Sequence, residues 1–167
     1  MPRLSLSLVL VLLLAACVKS APGRVAFRPA DAPIWSSAAF DAARIEGRWQ
    51  QAAAFSAAAT PGCKPGGAEV RRGAAGLEIA ARLCLNGREV HAAGPLRMVG
   101  PGRMAVPGMA DWWVVWVDSG YRTLAIGTPD GSFGFVLDRG RIGPDRLAAA
   151  GEVFDFNGYS RARLLPF

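Results

Sequence analysis

Hydrophobic and polar positions alternate along this chain in short stretches, and turn residues separate the stretches. The cleanest alternation sets Leu77, Ile79, Ala81, Leu83 and Leu85 against Glu78, Ala80, Arg82 and Cys84, the period of two expected of a half-buried strand. Asn86-Gly87 follows at once, a pair that accepts the positive φ angles of a tight hairpin. The stretch from Asp111 to Arg139 organises the rest. Trp112–Val117 is an unbroken run of aromatic and β-branched residues, too short for a helix and suited to a strand covered on both faces. Asp118-Ser119-Gly120 turns into a strand over Tyr121–Gly127, and Thr128-Pro129-Asp130-Gly131 turns again. Phe133, Phe135 and Leu137 then alternate with Gly134, Val136 and Asp138, and Arg139 continues the first face. This is an antiparallel meander that must bury one face.

The same pattern extends upstream. Gly47–Phe55 reads as a strand with Trp49, Gln51, Ala53 and Phe55 on one face, and Ser56–Gly67 as a long loop. Short strands follow at Ala68–Arg72 and Arg103–Val106, with a longer one at Arg88–Val99 interrupted at Gly94-Pro95. The prediction is an all-β fold, an eight-stranded antiparallel up-and-down barrel, because closure removes exposed edges. Pro144–Phe154 reads as one C-terminal helix with Leu147, Ala150 and Phe154 as its apolar face, packed outside the barrel. Leu164-Leu165 adds a final extended piece.

The amino terminus predicts an address. Arg3 precedes an apolar run, Leu4–Leu14, that is too short to span a bilayer and has the layout of a secretory signal. Leu14-Ala15-Ala16-Cys17 resembles the bacterial lipobox. The resemblance implies that residues 1–16 are removed and that Cys17 becomes the lipidated first residue. Val18 stands where Asp would resemble an inner-membrane retention signal, so the implied location is the outer membrane, facing the periplasm. The Ala- and Pro-rich segment 17–39 then reads as a tether, and residues 40–167 as the barrel domain.

Charge changes the picture little. The net charge is +6, with Lys19 and Lys64 the only lysines. The arginines are scattered, with Arg71-Arg72 the only adjacent pair and no aromatic interleaving, which argues against nucleic acid as partner. A basic surface is attracted to anionic headgroups near the anchor. His91 is the only histidine, and no Cys/His spacing points to a metal. No catalytic constellation surrounds His91, and no Gly-rich loop opens a helix in a βαβ setting. Neither a metal, a nucleotide cofactor nor an enzymatic activity is expected.

Phe40-Asp41 through Gly47-Arg48-Trp49, then Asp118 with Tyr121, then Arg139, together with Tyr121–Asp130 and the Asn157-Gly158-Tyr159 tail, resemble the lipocalin family, most closely its bacterial outer-membrane lipoprotein branch. The resemblance covers about residues 40–167. Gln50-Gln51 departs from it, standing where the family often has Tyr-Glu. It implies that Gly47, Trp49, Asp118, Tyr121 and Arg139 form a structural closed end, with the Arg139 guanidinium over the Trp49 indole. It also implies an open mouth ringed by Ser56–Gly67, Asn86-Gly87, Pro107–Asp111 and Thr128–Gly131, the first of these folding over as a lid.

Parity from Arg139 points Phe133, Phe135 and Leu137 inward, with Phe55, Ile79 and Leu83 as inward partners. On the Trp112–Val117 strand, Trp112 and Trp116 point one way and Trp113 the other; Trp113 is expected inside. The expected ligand contacts are therefore Phe55, Ile79, Leu83, Trp113, Phe133 and Phe135. Cys63 and Cys84 are expected to form a disulfide that ties the loop to the wall, the alternatives being two unpaired thiols or a metal site. The function so implied is a lipid-anchored binding protein holding a small hydrophobic ligand, a fatty acid or lysophospholipid, with Arg97, Arg103 or Arg122 meeting an anionic headgroup. The alternatives are a filled barrel whose outer face binds an envelope partner, and a lipid-modifying enzyme.

Overall fold

The structure is a computed structural model that describes residues 25–167. The expected signal peptide, the lipobox-like stretch with Cys17 and the first part of the expected tether lie outside the described residues.

Nine strands follow in chain order: β1 (Gly47–Phe55), β2 (Gly67–Gly73), β3 (Gly76–Leu85), β4 (Arg88–Pro95), β5 (Arg97–Gly100), β6 (Arg103–Ala105), β7 (Trp112–Val117), β8 (Thr123–Gly127) and β9 (Gly134–Asp138). They pair in the order β4-β3-β2-β1-β9-β8-β7-β6-β5. The two ends of that order, β4 and β5, are joined through Leu96 alone, so the sheet curls into a nearly closed antiparallel barrel.

The barrel prediction holds, with one strand more than expected. The predicted Arg88–Val99 strand is broken into β4 and β5. Gly94 takes φ +133°, and Pro95 has no N–H to give the ladder. The Leu96 N–H keeps hold of β3 by donating to Leu77 O at 2.8 Å. A short β10 (Leu164–Pro166) pairs with the end of β1.

Two β-bulges decide which side chains face the interior. Gln51 lies opposite Leu137 and Ala53 opposite Val136, so Ala52 is an extra residue in β1. Val114 lies opposite Ile126 and Trp116 opposite Ala125, so Val115 is the extra residue in β7. One inserted residue reverses the facing of everything beyond it. Trp49 and Ala54 therefore belong to the barrel core, while Ala53 and Phe55 belong to a second core outside it.

That second core lies under the helix α1 (Pro144–Phe156), which buries Ala150, Gly151 and Phe154 together with Val115, Ala125 and Val136 of the wall. Tyr159 locks the arrangement. Its hydroxyl accepts from Thr128 N–H at 2.7 Å and lies 2.9 Å from Phe133 O, fastening the tail to the β8–β9 turn.

Residues 25–39 do not hang free as the tether reading expects. Phe27 is 2% exposed and packs 5.6 Å from the Phe55 ring. Its N–H donates to Gly131 O at 2.8 Å, and the Arg28 side chain donates to Asn157 O at 2.9 Å and also to Pro129 O and Ala32 O. The segment then runs along the barrel towards Ser37, whose N–H donates to Val114 O at 2.7 Å. The folded unit thus begins by Phe27 rather than Phe40, because these contacts are tertiary and leave no periodicity in the sequence.

Candidate functional site

One end of the barrel is shut by backbone carbonyls gathered on a single arginine. Arg139 Nε donates to Tyr121 O and Nη2 to Arg44 O, each at 2.8 Å, and the guanidinium lies 4.2 Å from the centroid of the Trp49 ring. Trp49 Nε1 donates to Ile45 O at 2.8 Å. Gly47 is required here. It takes φ +115°, and a Cβ would stand 2.8 Å from Arg139 Nη1. Arg139 itself is exposed, so it covers the indole from the solvent side.

Asp118 and Tyr121 shape the neighbouring turn. Tyr121 has φ +51°, so the strand predicted to start there begins at Thr123 instead. The Asp118 carboxylate accepts the N–H groups of Arg122 at 2.6 Å and Thr123 at 2.7 Å. Burial pushes its pKa up, but these hydrogen bonds and the Arg122 guanidinium outweigh burial and hold it below the ordinary carboxylate value. The Tyr121 hydroxyl accepts from Asp41 N–H at 2.6 Å, and the Arg44 guanidinium sits 3.8 Å over its ring. Gln51, where the resemblance breaks down, stitches the wall: its amide donates to Cys84 O and accepts from Cys84 N–H, both at 2.8 Å.

The interior above this end is mostly apolar, and the buried Gln51 amide lies among it on the same face as Trp49. Ile79, Leu83, Phe135 and Leu137 face it as expected, joined by Met104, Val114, Leu124 and Ile126. Phe133 is partly buried against them, at the β9 end of the mouth. Two expected contacts are elsewhere. Phe55 is outside, turned by the bulge at Ala52 against Phe154 and Tyr159, each 4.9 Å between ring centroids. Trp113 is also outside, under the Arg103 guanidinium at 4.1 Å. Trp112 takes the interior position, 2% exposed and edge-on to Phe135 at 5.0 Å.

The run of apolar residues in β7 conceals this parity. The signal that reveals it is in β8, where large Leu124 and Ile126 face in and small Ala125 and Gly127 face out. Because Trp113 pairs with Gly127, Trp112 goes to the other face.

At the mouth the Ser56–Gly66 loop is held down. Cys63 and Cys84 form the expected disulfide, with Cα atoms 5.6 Å apart. Ala57 N–H donates to Asn86 Oδ1 at 2.9 Å, fixing the loop beside the β3–β4 turn. The arginines do not serve a headgroup in the barrel: Arg103 covers Trp113, Arg122 pairs with Asp118 at the closed end, and Arg97 is exposed on β5. His91 lies exposed on the wall, 2.9 Å from Glu89. A groove of about 590 Å³ runs over the outer wall between Gln50 and Ala93. Among the described residues, no group of three or more His, Cys, Asp or Glu is placed to hold a metal.

The fold has counterparts among solved structures. Insecticyanin from the tobacco hornworm Manduca sexta aligns with a TM-score of 0.62 over 84% of this chain and 87% of its own, at 15% identity. The cockroach allergen Per a 4 aligns with a TM-score of 0.59 over 81% of this chain and 92% of its own, at 12% identity. The fold is that of a lipocalin. No protein-family model matches the sequence, and no curated protein matches it. At these identities the likeness speaks for the barrel and helix, and the chemistry of this lipocalin-fold chain rests on its own residues.

Proposed function

We propose that this chain is a non-enzymatic carrier that holds a small hydrophobic molecule in its barrel, an acyl lipid such as a fatty acid or lysophospholipid. The observation that carries the reading is the interior itself. One continuous core runs from Trp49 at the closed end to Phe133 at the mouth, built mainly of aliphatic and aromatic side chains. A site so lined recognises its ligand by excluding water from an apolar skeleton. The ligand enters past the half-buried Phe133, Met109 and Val90.

The reading includes a lipid anchor at Cys17, on the periplasmic face of the outer membrane. The described chain is fastened by Phe27 and Arg28 to the β8–β9 turn, at the open end. From Cys17 to Val25 a fully extended chain reaches at most about 29 Å, so an anchor there keeps the mouth close to the membrane. The exposed Trp35–Phe156 pair, 5.5 Å between ring centroids, lies beside the same end of the helix.

One observation favours a second reading, a filled barrel that binds an envelope partner on its outer face. Leu83, Val114, Ile126 and Phe135 are fully sealed from solvent, which is what a barrel packed by its own side chains gives. Mass spectrometry of lipids that co-purify with the mature protein, paired with titration of a fluorescent acyl probe, separates the two. The carrier reading expects a co-purifying acyl lipid and micromolar probe affinity, about −8 kcal/mol. Absence of both overturns it in favour of the filled barrel. Metabolic labelling with a fatty-acid analogue checks the anchor, since Cys17→Ser is expected to abolish the label; undiminished label rejects the lipobox.

A further inference from the structure

Among the described residues, one buried side-chain donor has no hydrogen-bond acceptor, and it belongs to the barrel. Trp112 Nε1 is sealed in the apolar core without a partner. Trp49, the other indole of that core, has Ile45 O for its N–H. Native proteins pair nearly all such groups, so an orphan inside a binding barrel calls for an explanation. Trp112 opens β7 immediately after the mouth loop, pairs with Met104 of β6 and stands edge-on to Phe135 at 5.0 Å. A ring is at most a weak acceptor. A water molecule is no better answer, because a buried water needs two to four polar partners, and the other polar side-chain groups of this core, on Trp49, Gln51 and Tyr121, are already hydrogen-bonded. An oxygen carried on an apolar skeleton needs that donor alone.

We infer that the Trp112 indole N–H is the polar anchor of the barrel, and that it selects acyl chains bearing an uncharged carbonyl, as in an ester, over ionised carboxylates. The inference rests on the carrier reading and sharpens it. Charge decides the class. Among the described residues the buried cation is Arg28, which is bonded to the tail outside the barrel, and Arg97, Arg103 and Arg122 are committed or exposed elsewhere. Taking an ionised carboxylate into such surroundings is costly, whereas an ester carbonyl loses little and gains the hydrogen bond that the indole lacks. Trp112 lies at the mouth end of β7. A lysophospholipid therefore fits with its headgroup in water, its ester carbonyl at Trp112 and its chain below, over Phe135 and Leu83.

The test compares decane, methyl decanoate and decanoate on the mature protein at neutral pH. Affinity is read by tryptophan emission, and the indole N–H resonances by nitrogen-15 NMR. Methyl decanoate is expected to bind most tightly and to move the Trp112 indole resonance downfield, while decane leaves that resonance in place. Trp112→Phe, which keeps a ring and removes the donor, is expected to weaken methyl decanoate about five- to tenfold and decane less than twofold. The resonance can be assigned through its contacts to Phe135 and Met104, so the unaltered protein suffices if the variant does not fold. Tighter binding of decanoate than of the ester, an unmoved indole resonance, or equal losses for ester and alkane would each overturn the inference while leaving the carrier reading intact. Binding of none of the three would remove both.

Discussion

The bulge at Ala52 makes a claim that can be tested at Phe55. Strict alternation from Trp49 puts this ring inside the barrel; the structure puts it outside, 1% exposed, under the helix. Its centroid lies 4.9 Å from Phe154, 4.9 Å from Tyr159 and 5.6 Å from Phe27. Phe55→Leu retains most of the buried apolar area and removes the ring contacts, each worth about 0.5–1.5 kcal/mol. Because the three share one cluster they do not add fully, and the expected loss is about 2–3 kcal/mol. For a domain of this size that lowers Tm by roughly 6–12 °C. The assays are urea unfolding and amide hydrogen exchange. Exchange is expected to accelerate in Pro144–Phe156 and much less in β3. A cycle with Phe154→Leu is expected to show coupling of about 0.5–1.5 kcal/mol, since the rings touch. Acyl-probe affinity of the folded variant is expected to stay within twofold. A loss below about 0.5 kcal/mol, strict additivity with Phe154→Leu, or a collapse of probe binding in folded protein would refute the placement.

Arg139→Ala is expected to cost about 1–3 kcal/mol, from an exposed cation–π contact and two carbonyls left to water. Because only the cation–π part involves Trp49, the measured coupling to Trp49→Ala in a double-mutant cycle is expected to be about 0.5–1 kcal/mol. Replacing Cys63 and Cys84 together by Ala is expected to destabilise by about 3 kcal/mol in chemical unfolding, because the unfolded chain regains the freedom of the loop between them. Asp118 carries the pH dependence. Its folded pKa lies below 3.8, so its stabilisation is complete above that ordinary value and is lost as pH falls through the lower folded pKa. Stability measured from pH 5 downward is expected to decline less in Asp118→Asn than in the unaltered protein, and equal slopes would mean that the carboxylate contributes nothing there.

The sequence by itself determined the architecture. Alternation with turn residues between the stretches forces strands, consecutive strands with short turns force an antiparallel meander, and the meander must close to hide its edges. The Trp49–Arg139 contact, the turn at Asp118 and the Cys63–Cys84 bond were also legible, as residues placed at corresponding ends of strands. Tertiary structure alone decided the rest. A bulge adds one residue without a marked change in composition, yet it reverses every side chain beyond it. That is why Phe55 left the barrel and why parity could not be carried along β7 as far as Trp116. Trp112 and Trp113 are chemically identical, and only the register against Gly127 and Ile126 separates the one that faces the core from the one under Arg103. The strap at Phe27 and Arg28 is held by groups more than a hundred residues away in the chain. Local pattern reports local backbone preference, whereas facing, register and docking are settled by which surfaces meet when the barrel closes.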